Sequence, residues 1–134
     1  RLRDLNECLG HRAGDEIIRE VAQRIAAHIR PTDVACRYGG DEFFILCRRA
    51  TIATAVTFAD DLQRTIAETP VTVQGENVRV RVTIGAATIP GVHPVADPDG
   101  FFRCADEALR QGKQAGQPVM HYSMLERTAR AGAI

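Results

Sequence analysis

The chain has 134 residues, 45 % of them hydrophobic, which suits one compact domain with a single core. Its 17 basic and 17 acidic residues cancel and form no block of one sign. That excludes a general polyanion binder, so no nucleic-acid partner is expected and any phosphate site has to be local.

A helical turn around residues 5–9 is stopped by Gly10. Asp15 then caps a helix whose apolar face is Ile17, Ile18, Val21, Ala22, Ile25 and Ile29, and Pro31 ends it. Residues 34–38 and 43–47 read as strands around Gly39-Gly40-Asp41-Glu42, where glycine permits the positive φ angles of a tight hairpin. Ile52, Ala55, Val56, Ala59, Leu62 and Ile66 return to helical spacing, with Thr51 as a cap and Pro70 beyond the end. Val78, Val80, Val82 and Ile84 alternate with Arg79, Arg81 and Thr83, the period of a strand with one buried face. Residues 71–73 are expected to pair with it through Gly75-Glu76-Asn77. Residues 85–97 read as an irregular loop, and Asp97-Pro98 starts a helix with Phe102, Ala105 and Leu109 inward. Gly116 closes that helix before a last strand over residues 119–122. The order predicts an α/β (α+β) domain over residues 1–125, with helices flanking a mainly antiparallel central sheet, and a tail or linker over residues 126–134.

The cysteines Cys8, Cys36, Cys47 and Cys104 form no Cys-x-x-Cys pair, and no histidine stands at metal-ligand spacing beside them. A reduced, cytoplasmic chain is the simpler reading. The longest apolar runs fall far short of the ~20 residues a membrane-spanning helix needs, although the parent protein can still be membrane-anchored elsewhere. The start at Arg1, directly into patterned sequence, reads as a segment cut from something longer.

Arg37-Tyr38-Gly39-Gly40-Asp41-Glu42-Phe43 falls on the expected hairpin. Around it stand Asn6, Gly10-His11, Gly14-Asp15, Arg30-x-x-Asp33, Ala105-Asp106-x-Ala108-Leu109 and Lys113-x-x-Gly116. In order and spacing this set resembles the GGDEF domain of diguanylate cyclases, over most of the chain. The resemblance implies a nucleotidyl cyclase or polymerase palm fold and the joining of two GTP into the bacterial messenger cyclic di-GMP. It implies Mg²⁺ (or Mn²⁺) as cofactor, a homodimer for catalysis, and regulatory domains in the same parent chain.

Physical chemistry supports several of these assignments. Gly39 and Gly40 let backbone approach phosphates, and turn amides can donate to phosphate oxygens. Asp41 and Glu42 offer hard oxygen ligands to a divalent cation. By resemblance Asp41 binds metal, while Glu42 either joins the metal site or activates the 3′-hydroxyl as a base. The plainer reading of these four residues is a turn chosen for its shape. Asn6 and Asp15 correspond to the guanine readers; a carboxylate accepts from the guanine N1 and N2 hydrogens, and an amide both donates and accepts. Taken singly, Asn6 is a turn residue and Asp15 a helix cap. Lys113 matches a phosphate-binding lysine, which taken alone is a favourable charge at a helix C-terminus. Arg3 replaces a phosphate-reaching lysine, keeping charge and changing geometry.

Arg30 and Asp33 match the family's inhibitory site for an intercalated cyclic di-GMP dimer; the plainer reading is a surface salt bridge. A further arginine of that site aligns with Asp61, with Arg64 one turn away. By the resemblance, Gln117 replaces a frequent phosphate-binding arginine, Arg110 stands where a tyrosine is common, and Leu2 replaces a phenylalanine lining the nucleotide site. By the resemblance, the first strand and its metal-binding aspartate fall before Arg1. The chain alone is therefore expected to be inactive and its sheet to lack a strand. Two further readings remain: a non-catalytic cyclic di-GMP receptor or GTP sensor, and a plain dimerisation domain.

Overall fold

The computed structural model describes residues 2–90 and 97–125. The expected tail and residues 91–96 of the expected loop lie outside that range. The elements are α1 (Leu2–Leu9), α2 (His11–His28), β1 (Val34–Gly39), β2 (Glu42–Leu46) and α3 (Ile52–Glu68). They continue with β3 (Val71–Val73), β4 (Glu76–Val78), β5 (Ile84–Ala86), α4 (Pro98–Ala115) and β6 (Val119–His121). No described helix is long and apolar enough to cross a membrane.

Two compact units are distinguished. The first holds the residues up to Arg48 together with Arg64–Arg81. Its core stripe on α2 is Ala13, Ile17, Val21 and Ile25, and Ile66, Val71, Val73 and Val80 are buried with it. Burying a side chain of this size fully contributes about 1.5–3 kcal/mol, so the four-residue repeat fixes which side of α2 turns inward. The next stripe, including Ile18, Ala22 and Ile29, lines an open cleft of about 550 Å³ whose other wall includes Ala35, Cys36 and Phe43 of the β1–β2 hairpin.

Arg24 ties α2 to the end of α3. Its guanidinium donates to the carbonyls of Ile66, Thr69 and Pro70 and pairs with Glu20. The carbonyls that a helix end leaves unpaired thus find a cation, which the helix dipole also favours.

The second unit holds Arg49–Gln63 and the residues from Val82 onward. Its β5 and β6 pair in parallel, and α4 packs on both. Gly85 makes that contact possible: a Cβ there would stand 2.2 Å from the Leu109 amide nitrogen and 2.4 Å from the Ala105 carbonyl oxygen. His121 is fully buried. Its Nδ1 accepts from the Ser123 backbone N–H, which leaves Nε2 to donate to Thr88 Oγ1 at 2.9 Å.

The α+β class is met, with antiparallel strand pairs flanked by helices. Strand pairing is more divided than expected: the described strands form three two-stranded sheets, β1–β2 and β3–β4 antiparallel and β5–β6 parallel. The alternating segment 78–84 is not one strand; only its two ends are paired. Alternation reports a buried face, and Val80 is indeed buried, but it carries no information about a hydrogen-bonding partner. The β3–β4 turn is Gln74-Gly75, both with positive φ, the signature of a type I′ hairpin; Glu76 and Asn77 belong to the strand.

Capping was legible at α3 and α4. Thr51 and Thr54 exchange side-chain bonds with each other's backbone N–H, and Asp97 accepts from Gly100 N–H ahead of Pro98. It was not legible at α2, which begins at His11 behind Gly10. Asp15 is therefore the fifth residue of the helix and no cap. Its carboxylate is exposed and not used by the helix end.

Candidate nucleotide site

Five of the expected site residues line one cleft of about 670 Å³ in the first unit: Arg3, Asn6, Asp15, Gly40 and Asp41, with Arg37 beside them. α1 supplies Arg3 and Asn6, α2 supplies Asp15, and the hairpin supplies the rest. The helices are brought together at Gly10, whose φ of 86° belongs to the region that favours glycine. Arg3 is exposed and pairs with Glu7 on its own helix.

Asn6 leans against α2 where Gly14 has no side chain; a Cβ on Gly14 would come within 2.0 Å of Asn6 Oδ1. That oxygen is buried without a hydrogen-bond partner. A buried orphan acceptor is costly.

The hairpin closes on the pair Gly39↔Glu42, with a register shift between Arg37 and Gly39. Gly40 has a φ of 43°. Arg37 Nε and Nη2 both donate to the Gly40 carbonyl, at 3.0 and 2.6 Å. Asp41 and Glu42 are exposed. Among the described residues no three His, Cys, Asp or Glu side chains gather into a metal cage, so the hairpin offers two adjacent carboxylates. Such a donor set fits Mg²⁺, which commonly takes one or two carboxylates and completes its shell with water and substrate phosphates. Lys113 is exposed in the last turn of α4 and belongs to the second unit. Arg110, on the same helix, pairs with Glu107, whose carboxyl is lowered to about 2 by hydrogen bonds from Arg110 and Gln111.

Arg30 and Asp33 stand apart from this cleft. The Asp33 side chain is buried while Arg30 is half exposed. Asp33 Oδ2 accepts from Arg30 N–H and Nε, and Oδ1 from Arg30 Nη2 and the Arg48 N–H. Arg30 Nη2 also donates to the Arg48 carbonyl at 2.7 Å. The Arg30 hydrogen bond is the main cause holding the Asp33 carboxyl below its usual range. All of this leaves Nη1 as the guanidinium nitrogen without a bond among the described residues. Sequence reasoning found the pair but not Arg48, whose contribution comes through its backbone, and it gave Arg37 no role of its own.

A family model described as "Diguanylate cyclase, GGDEF domain" matches residues 1–118. The chain is a GGDEF domain. Among its relatives, the response regulator PleD of Caulobacter vibrioides is 33 % identical over 115 residues, covering 84 % of this chain and 25 % of PleD. Diguanylate cyclase DosC of Escherichia coli is 34 % identical over 118 residues, covering 87 % of this chain and 25 % of DosC. This GGDEF domain thus spans about a quarter of the length of these curated relatives. The GGDEF domain of DgcB from Caulobacter crescentus, solved in complex with c-di-GMP, superposes with a TM-score of 0.81 at 26 % identity, covering 90 % of this chain and 71 % of that one. The GGDEF domain of YfiN from Pseudomonas aeruginosa gives 0.83 at 29 %, covering 97 % and 76 %.

Proposed function

We propose that this GGDEF domain condenses two GTP molecules into cyclic di-GMP and two pyrophosphates, working as an antiparallel homodimer. The reading is carried by one cleft lined by the two expected guanine readers, a cation and the motif aspartate. Asn6 and Asp15 address the guanine edge, a donor–acceptor pattern that adenine lacks. Arg3 and the Gly39-Gly40 backbone face the phosphates. Asp41 and Glu42 would hold Mg²⁺ or Mn²⁺, which when bound supplies charge neutralisation at the phosphate oxygens. Glu42 is also the group available to take the 3′-hydroxyl proton. Each chain holds one GTP, so a second chain must present the attacking hydroxyl, and catalysis is positioning and charge stabilisation.

Arg30 is proposed as the product-binding group, with Asp33 orienting it rather than reading guanine, since Asp33 already accepts four hydrogen bonds. The c-di-GMP complex of the DgcB domain supports a ligand of that class. The same geometry favours the second reading, a non-catalytic cyclic di-GMP receptor.

The deciding experiment is conversion of GTP to cyclic di-GMP by the full-length protein with Mg²⁺, read by mass spectrometry beside Asp41→Ala. Product from the parent and none from the variant is expected. No product from either, after removal of bound nucleotide, overturns the cyclase reading in favour of the receptor.

A further inference from the structure

The Gly40-Asp41 turn is held by a side chain from the strand before it. Gly39 pairs with Glu42, so Gly40 and Asp41 are the two central residues of the hairpin loop. Gly40 has positive φ, whereas the described non-glycine residues with positive φ are Arg49 and Gln74, not Asp41. Positive then negative φ is the type II′ pattern; type I′ needs both positive. The chain's other tight hairpin, at Gln74-Gly75, has both positive. The two types differ mainly by rotation of the central peptide. Aspartate tolerates the left-handed region better than most residues, so a Gly-Asp pair does not by itself exclude type I′.

Arg37 acts on that peptide. Its Nε and Nη2 converge on the Gly40 carbonyl at 3.0 and 2.6 Å, and the register shift between Arg37 and Gly39 lies between the guanidinium's strand position and the turn it reaches. Charged donors make the stronger hydrogen bonds. In a trans peptide the N–H points opposite to the carbonyl, so holding the Gly40 oxygen also sets the direction of the Asp41 N–H and the path by which Asp41 leaves the turn.

We infer that Arg37 is a positioning residue that latches the Gly40–Asp41 peptide in its type II′ orientation, presenting Asp41 to the cleft in one geometry. Its catalytic consequence rests on the cyclase reading; the latch itself does not.

The test compares amide NMR signals of Gly40 and Asp41 in the parent chain, Arg37→Ala and Arg37→Lys, and repeats Arg37→Ala in an Asp41→Thr background. A threonine at position 41 is barred from positive φ by its branched Cβ. Arg37→Ala is expected to give doubled or exchange-broadened signals at these two positions, Arg37→Lys a partial recovery, and the Asp41→Thr background a single set. On the full-length protein, Arg37→Ala is expected to lower kcat at least tenfold while KM for GTP changes less than threefold.

Unchanged Gly40 and Asp41 signals in both Arg37 variants overturn the latch. A raised KM with unchanged kcat also overturns it, making Arg37 a direct substrate contact. If the parent shows no turnover, the cyclase reading fails while the amide signals still decide the latch.

Discussion

Gly14 is where α2 makes room for the Asn6 carboxamide, and its substitution separates binding from stability. Gly14→Ala puts a methyl group into Asn6 Oδ1, so the amide must rotate away. Alanine meanwhile raises helix propensity by about 1 kcal/mol. GTP affinity is therefore expected to fall about tenfold, roughly 1.4 kcal/mol, with the melting temperature unchanged or higher; titration and thermal melting on the same sample check this. His121 makes the opposite kind of prediction, on stability alone. Burial lowers its folded-state pKa below the usual 6.5, so the unfolded chain takes up the proton first. Stability is complete above about pH 6.5 and declines as pH falls below it. Urea melts between pH 7.5 and 5.5 should show this slope in the parent and lose it in His121→Gln.

At the scale of elements, the tightest constraint is β5 against α4. The atoms that a Cβ on Gly85 would strike belong to the helix backbone and cannot rotate aside. Gly85→Ala is expected to cost about 3 kcal/mol, the upper part of the usual overpacking range, measured by chemical denaturation. Element by element, the sequence was most readable where a signal is local. Thr51, Asp97-Pro98 and Gly116 marked helix ends because each contacts backbone within a few residues. Asp15 misled as a cap because Gly10, which begins α2 without a side-chain bond, leaves no such mark. The parallel pairing of β5 with β6 was unreadable because its register, Ile84↔Val119 to Ala86↔His121, joins segments far apart in sequence. Motif spacing grouped Asn6, Asp15 and Asp41, which line one cleft, whereas the bonds made by Arg37 and by the Arg48 backbone are encoded by no residue pattern.

For the molecule as a whole, the governing expectation is that one chain offers half of a reaction centre. Specific activity of the full-length protein should then rise with protein concentration until dimerisation saturates, and mixing in an Asp41→Ala protein should depress it beyond simple dilution. A rate strictly proportional to enzyme concentration, at concentrations where sedimentation shows monomer, would count against the paired arrangement. Formal neutrality, with a sequence pI near 7.1, means that charge repulsion does little to keep two copies of the domain apart near neutral pH.

The Arg30 guanidinium has a last consequence, which concerns heat rather than structure. Because Asp33 and the Arg48 carbonyl already hold its rotamer, the ordering entropy of a long side chain is lost when the domain folds and not when a ligand arrives. Calorimetry of cyclic di-GMP binding should therefore show a smaller entropic penalty for the parent than for Asp33→Ala, whose arginine would have to be immobilised anew at every encounter.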